Sequence, residues 1–156
     1  MMTKDHEHWM DMALALARAV EASGNTPVAS LVVRDGEEIG RGTNEVTTKR
    51  DPILHAEIVA IQDACKRSGS ATLEGAVLYS TMEPCPMCAW GIRCAGLKQV
   101  VLGARHADLK RTDMGTYAFD TFMIATGQNV QLVSGIRTAE CVELRREWSA
   151  RTGRVV

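Results

Sequence analysis

Two cysteines three residues apart, in Glu83-Pro84-Cys85-Pro86-Met87-Cys88, constrain this chain more than any other feature. Pro86 suits the opening of a helix, where a missing N–H does no harm, and on a first turn Cys85 and Cys88 can both turn a thiolate toward one ion. The unpaired N–H groups of that turn favour the anionic sulfur. The pair reads as half of a zinc site. His55 supplies a third ligand, and three protein ligands leave one tetrahedral position for water, the arrangement of a catalytic zinc. Glu57 is then the acid/base candidate. Cys94 or His106 could close the site as a fourth ligand, but a closed structural site leaves Glu57 without a task. A chain of this size also needs no metal to hold its core together.

The spacing of His55 and Glu57 restricts the geometry further. Residues two apart on a regular helix point about 200° from each other, at roughly 100° per residue, so the two cannot share a face. Both reach one ion only if it lies off the helix N-terminus, near the axis. The sequence therefore predicts two helix starts facing a single metal.

The 156 residues, 46% hydrophobic and 24% charged, suffice for a real core, and one domain over 1–156 is the expectation. No apolar run approaches the roughly 20 residues of a membrane span, and Met1-Met2-Thr3-Lys4-Asp5-His6 lacks the apolar centre of a signal peptide. A cytoplasmic protein is expected. Five cysteines at irregular spacing fit reduced thiols and a metal site, with Cys65, Cys94 and Cys141 read as buried small hydrophobes. A net charge of -1 gives no electrostatic footprint for nucleic acid.

Periodicity predicts a helix over 6–23, with Trp9, Ala13, Leu16, Ala17 and Val20 apolar, Gly24 as its stop, and His6 and His8 in a frayed polar start. Its methionines read as gap-filling or surface side chains. Strands at 28–33 and 38–42 flank Asp35-Gly36, a hairpin signal. A polar loop over 47–52 leads to a helix over 55–66, with Ile58, Ile61, Ala64 and Cys65 as its apolar stripe. A strand at 76–81, a helix at 86–95 and a strand at 99–103 follow, then a turn-rich stretch over 105–117. A short helix at 119–125, a strand at 130–134 and a last helix N-capped by Thr138 complete the chain. Strands alternating with helices predict parallel neighbours covered on both faces, with a site beyond the strands' carboxyl ends.

His55-Ala56-Glu57 with Pro84-Cys85-Pro86-Met87-Cys88 matches in full the H-x-E…P-C-x-x-C signature known for zinc deaminases of nucleobases. Over nearly its whole length the chain resembles the cytidine-deaminase-like superfamily, in the branch of guanine, cytosine and tRNA adenosine deaminases. The resemblance implies a three-layer α/β/α sandwich around a mixed five-stranded sheet, one Zn²⁺ per chain and a homodimer. The implied reaction is attack of a zinc-activated hydroxide on an amidine-type ring carbon, with Glu57 shuttling protons and ammonia released.

The same resemblance implies substrate contacts. Asn44 follows the second strand where related enzymes hold an Asn against the ring, and a turn-forming Asn is the competing reading. Asp120, in Tyr117-Ala118-Phe119-Asp120-Thr121-Phe122, matches the guanine deaminase segment whose acidic residue meets the base, and an N-cap is its alternative. Glu83, through its carbonyl, and Ala56, Val28 and Phe119 complete the implied contacts. Trp90, two residues past a ligand, and Trp148, on the terminal helix, are candidate walls, with core packing as their other reading.

Gly103-Ala104-Arg105 resembles the tRNA enzyme, but its continuation gives way here to His106-Ala107-Asp108-Leu109-Lys110-Arg111-Thr112. A small nucleobase, nucleoside or analogue is the expected substrate, with guanine or aminotriazine rings favoured over cytosine or isocytosine. The alternatives are a tRNA adenosine deaminase and an inactive zinc-binding partner subunit.

Overall fold

The computed structural model describes residues 3–155; Met1 and Met2, part of the stretch read for a leader, lie outside the described residues. Helix α1 (Thr3–Ala19) and a 3₁₀ turn (Glu21–Ser23) lead into the hairpin β1 (Ala29–Arg34) and β2 (Glu37–Thr43). A single turn α2 (Val46–Lys49), helix α3 (Ala56–Ser68), strand β3 (Val77–Met82), helix α4 (Pro86–Cys94) and strand β4 (Gln99–Ala104) follow. Helix α5 (Phe119–Ala125), strand β5 (Gln131–Val133) and helix α6 (Thr138–Thr152) end the order.

The five strands form one mixed sheet, β2-β1-β3-β4-β5. β1 pairs antiparallel with β2 and β3, while β3–β4 and β4–β5 are parallel. Alternate residues of the buried strands feed two cores: Tyr79 and Val101 face the α1 and α6 side, Leu78, Val100 and Leu102 the α3, α4 and α5 side. Both faces are thus covered, and each fully buried leucine stabilises the fold by about 1.5–3 kcal/mol. No helix among the described residues is long and apolar enough to cross a membrane.

Of the expected stripe on α3 only Ala64 is fully buried, in a row with Ala56 and Ala60, while Ile58, Ile61 and Cys65 are half-buried. The reason lies on β2. Gly40 and Gly42 have no side chain, so the alanine row settles directly on the strand. A Cβ on Gly42 would fall inside the backbone of Ala56 and Ala60, whereas one on Gly91 of α4 would meet only the tip of Ile58, 2.8 Å away.

Other expectations are corrected by specific contacts. His6 is not frayed: it is buried, with Nδ1 2.9 Å from the Tyr79 hydroxyl. The 47–52 stretch is not all loop, because Asn44 Oδ1 accepts from the Val46 N–H while Asn25 Oδ1 accepts from Thr47 and Thr48, which holds a helical turn. Thr138 does not cap α6. Arg137 occupies the cap at φ 54°, and the Thr138 hydroxyl donates to the Gly103 carbonyl at 2.8 Å, tying α6 to the end of β4. Cys94 is exposed at the end of α4 and Cys65 half-buried, leaving Cys141 as the one buried thiol of the three.

Gly42→Ala is expected to destabilise by about 3 kcal/mol or more, because the obstruction is backbone that cannot turn away. Gly91→Ala is expected to stay within about 1 kcal/mol of the unsubstituted protein, since a flexible tip yields and alanine favours the helix. Urea-unfolding midpoints for both variants check the contrast.

Candidate active site

His55 and Cys85 occupy equivalent places. Each is the N-cap of its helix, His55 of α3 (φ -69°, ψ 154°) and Cys85 of α4 (φ -71°, ψ 171°), and neither side chain caps its own helix among the described residues. An extended cap throws the side chain forward off the helix end, so the two starts converge as the His-x-Glu spacing requires. Pro86 sits at the first helical position of α4. His55 Nδ1 lies 3.5 Å from Cys85 Sγ and 3.6 Å from Cys88 Sγ. Tetrahedral zinc, with Zn–S about 2.3 Å and Zn–N about 2.0–2.1 Å, places sulfur and nitrogen about 3.5 Å apart. The three donors therefore fit zinc in chemistry and in spacing. Among the described residues they form the only such cluster, without Cys94 or His106.

The three donors share protons unevenly, and Cys85 is the one drawn toward the thiolate that a metal needs. Hydrogen bonds from Cys88 and His55 draw the Cys85 thiol down to about 4, while Cys88, which keeps the shared proton and is buried, is pushed up. The bond to Cys85 also raises His55 above its ordinary value. Glu57, 4% exposed, stands beside Cys88 with Oε2 3.7 Å from Sγ. Burial pushes its carboxyl up to about 7, where a carboxylate can take and return protons near neutral pH.

Glu83 is the structural hub below these ligands. Its carboxylate accepts from Arg105 Nε at 3.1 Å, the His106 N–H at 3.0 Å and the Phe119 N–H at 2.7 Å. Burial alone would raise its carboxyl, but Arg105 and the two N–H groups outweigh that and hold it below the ordinary value. One side chain thus ties together the segment after β3, the exit of β4 and the start of α5. Tyr117 adds to this frame, donating to the Pro84 carbonyl at 2.6 Å.

A cavity of about 240 Å³ opens at His55, Glu57 and Cys85. Cys88, fully buried, stands behind it. Val28, Asn44, Ala56, Glu83 and Trp148, read from the sequence as substrate contacts, line it. Asn44 makes the turn of its competing reading, Oδ1 accepting from the Val46 N–H, and among the described residues nothing accepts from Nδ2. Three expected contacts lie elsewhere. Asp120 is neither on the cavity nor the N-cap of α5; it pairs with Arg105 at 2.6 Å, which draws it away and lowers its carboxyl. Phe119 is fully buried in the core under α5, and Trp90 stands 41% exposed against Phe122 and Arg93.

Sequence reasoning missed Thr26, Met82, Arg111, Arg145 and Val155, which line the cavity, and read His106 only as a candidate fourth metal ligand, whereas it lines the cavity too. Arg145 carried a signal: on the i, i+3 apolar row of α6 it sits among Val142, Leu144 and Trp148, so a charge had to be buried there. It is 6% exposed, and burial lowers its guanidinium to about 10.

Residues 3–104 match the family model for the cytidine and deoxycytidylate deaminase zinc-binding region. The chain belongs to this family. It is a zinc-dependent hydrolytic deaminase, and zinc is its cofactor. The deaminase is 38% identical to the tRNA-specific adenosine deaminase of Bacillus subtilis over 140 residues, 90% of this chain and 85% of the relative. To the guanine deaminase of the same organism it is 42% identical over 105 residues, 67% of each chain. Its fold superposes on that of guanine deaminase from Nitrosomonas europaea with a TM-score of 0.83 at 28% identity, covering 92% of this chain and 84% of the other.

The depressed Glu83 carboxyl stabilises the fold fully above the unfolded value near 4.5, and that stability is lost as pH falls below it through the folded value. Glu83→Gln is expected to be less stable by about 2–3 kcal/mol at pH 7, the quarter exposure of Arg105 reducing the figure for a buried pair. Below the folded value the two proteins should converge. Denaturation midpoints between pH 7 and pH 3 test this; parallel curves would contradict it.

Proposed function

We propose that this deaminase acts on a small amino-substituted heterocycle, a free nucleobase or base analogue, whose ring carbon is placed at the zinc end of the cavity. The cavity carries this reading. At about 240 Å³ it lies just under the roughly 300–1,000 Å³ of sites for drug-sized ligands, and it suits a single ring system. Trp148 and Val155 from the C-terminal segment stand along it, and a net charge of -1 offers little to a phosphate-rich substrate.

His55, Cys85 and Cys88 would hold the zinc, which supplies a water activated at neutral pH. Glu57 would accept one proton from the attacking water and deliver it to the ring nitrogen, then carry the second, from the new hydroxyl group, to the amino group, which leaves as ammonia. The amino carbon becomes a carbonyl, with water consumed and ammonia released. The Asn44 amide, its Nδ2 unengaged among the described residues, orients the ring from the end of β2. With Asp120 held by Arg105, the choice among guanine, aminotriazine, cytosine and isocytosine rings rests on the relatives and not on that residue.

A second reading is deamination of adenosine in tRNA, favoured by the longer match to the Bacillus subtilis tRNA enzyme. A flipped-out base needs no more room than a free one.

Ammonia release by the zinc-loaded protein from guanine, ammeline, cytosine, isocytosine, adenosine and tRNA decides between them. A small ring is expected to react at least 100-fold faster than tRNA, and Glu57→Gln is expected to retain stoichiometric zinc while losing about 10³-fold in kcat. Release from tRNA alone would select the second reading. No release from any of them would indicate a subunit without catalysis.

A further inference from the structure

Helix α6 contributes Arg145 and Trp148 to the cavity, three residues apart and so on one helical face. Both are nearly buried, 6% and 3% exposed, and neither Nε of Arg145 nor Nε1 of Trp148 has a hydrogen-bond partner among the described residues. Arginine and tryptophan side chains donate only, so these two groups can be satisfied by nothing but acceptors, whereas His106, which also lines the cavity with both ring nitrogens unpartnered, can offer one acceptor.

The groups facing the guanidinium do not neutralise it. It stacks on the Trp148 ring, 5.6 Å from the centroid, which stabilises the cation but accepts no N–H bond in its plane. Arg111 adds like charge from the 105–117 stretch, itself bound to Asp113 at 2.7 Å, and Glu57 contributes opposite charge from the zinc end without bonding to it. Among the described residues Arg145 enters no ion pair. A buried cation without a counter-ion is strongly unfavourable. An anion arriving in the cavity removes that penalty; a ring edge bearing N–H and NH₂ groups would add donors to donors.

We propose that the substrate is an amino-heterocycle carrying a carboxylate on its ring, which Arg145 grips in a two-pronged hydrogen bond with the Trp148 N–H beside it. This rests on the deaminase reading and deepens it by naming the substrate class. The planar fork of arginine matches two oxygens of one anion, a geometry lysine lacks. The small cavity favours a carboxylate attached directly to the ring over a phosphate on a sugar.

The test uses zinc-loaded Glu57→Gln protein, which binds without turnover, and calorimetric titration of cytosine, cytosine-5-carboxylate and cytidine 5′-monophosphate, with guanine and guanosine 5′-monophosphate as a purine set. Cytosine-5-carboxylate is expected to bind at least 10-fold more tightly than cytosine, and tighter binding of the nucleotides alone would overturn the carboxylate assignment. Adding Arg145→Met should shrink the preference to within about threefold, and Arg145→Lys should keep part of it. Without ligand, Arg145→Met alone should melt no lower than the unsubstituted protein, because it removes an unpaired buried charge. Equal or undetectable binding of the acidic rings overturns the proposal, as does a preference that survives Arg145→Met or a Tm that falls by several degrees. Because binding is read without turnover, failure of the unsubstituted enzyme to release ammonia would defeat the deaminase reading and leave this result standing.

Discussion

Everything in this molecule that bears on chemistry depends on two helices beginning at the same point in space. His55 and Cys85 hold extended backbone at the caps of α3 and α4, so their side chains leave the helices instead of closing them. Two positive helix ends then face one small volume, which favours thiolate at Cys85 and would otherwise repel a metal. The Cys85 sulfur resolves this by carrying negative charge. Cys88 and Glu57, one turn in or less, complete the enclosure from within the buried faces.

Two devices fix that convergence. On one side the glycines of β2 let α3 settle on the sheet at a spacing only alanines permit, which fixes the height at which His55 emerges. On the other, Glu83 gathers the segment leading to Cys85, the exit of β4 and the first turn of α5. Gly103 performs a related service for α6, since a Cβ there would collide with the Cys141 sulfur. The close approach brings Trp148 and Arg145 to the cavity. Packing of small residues, rather than size of the core, thus decides where the reactive groups stand.

Much of this was legible in the sequence. The order of helices and strands, the hairpin at Asp35-Gly36, the parallel pairing of β3 with β4 and the facing helix starts all follow from periodicity, turn chemistry and ligand spacing, because each is a local or near-local rule. What escaped was set by partners distant in the chain. Ala56 and Ala60 were hidden as packing partners of Ala64 because the reason for the row is on β2, and Asp120 was misplaced because Arg105, which holds it, lies fifteen positions earlier. The burial of His6 depended on Tyr79, 73 residues away. Arg145 was the instructive omission: a charge on the apolar face of an amphipathic helix is a local signal, and it pointed into the cavity.

X-ray absorption at the zinc edge of the loaded protein tests the central claim most directly. Two sulfurs and one histidine nitrogen from the protein, with no fourth protein ligand, are the predicted neighbours of the metal. A third sulfur or a second histidine nitrogen would mean a closed structural centre and would contradict the account.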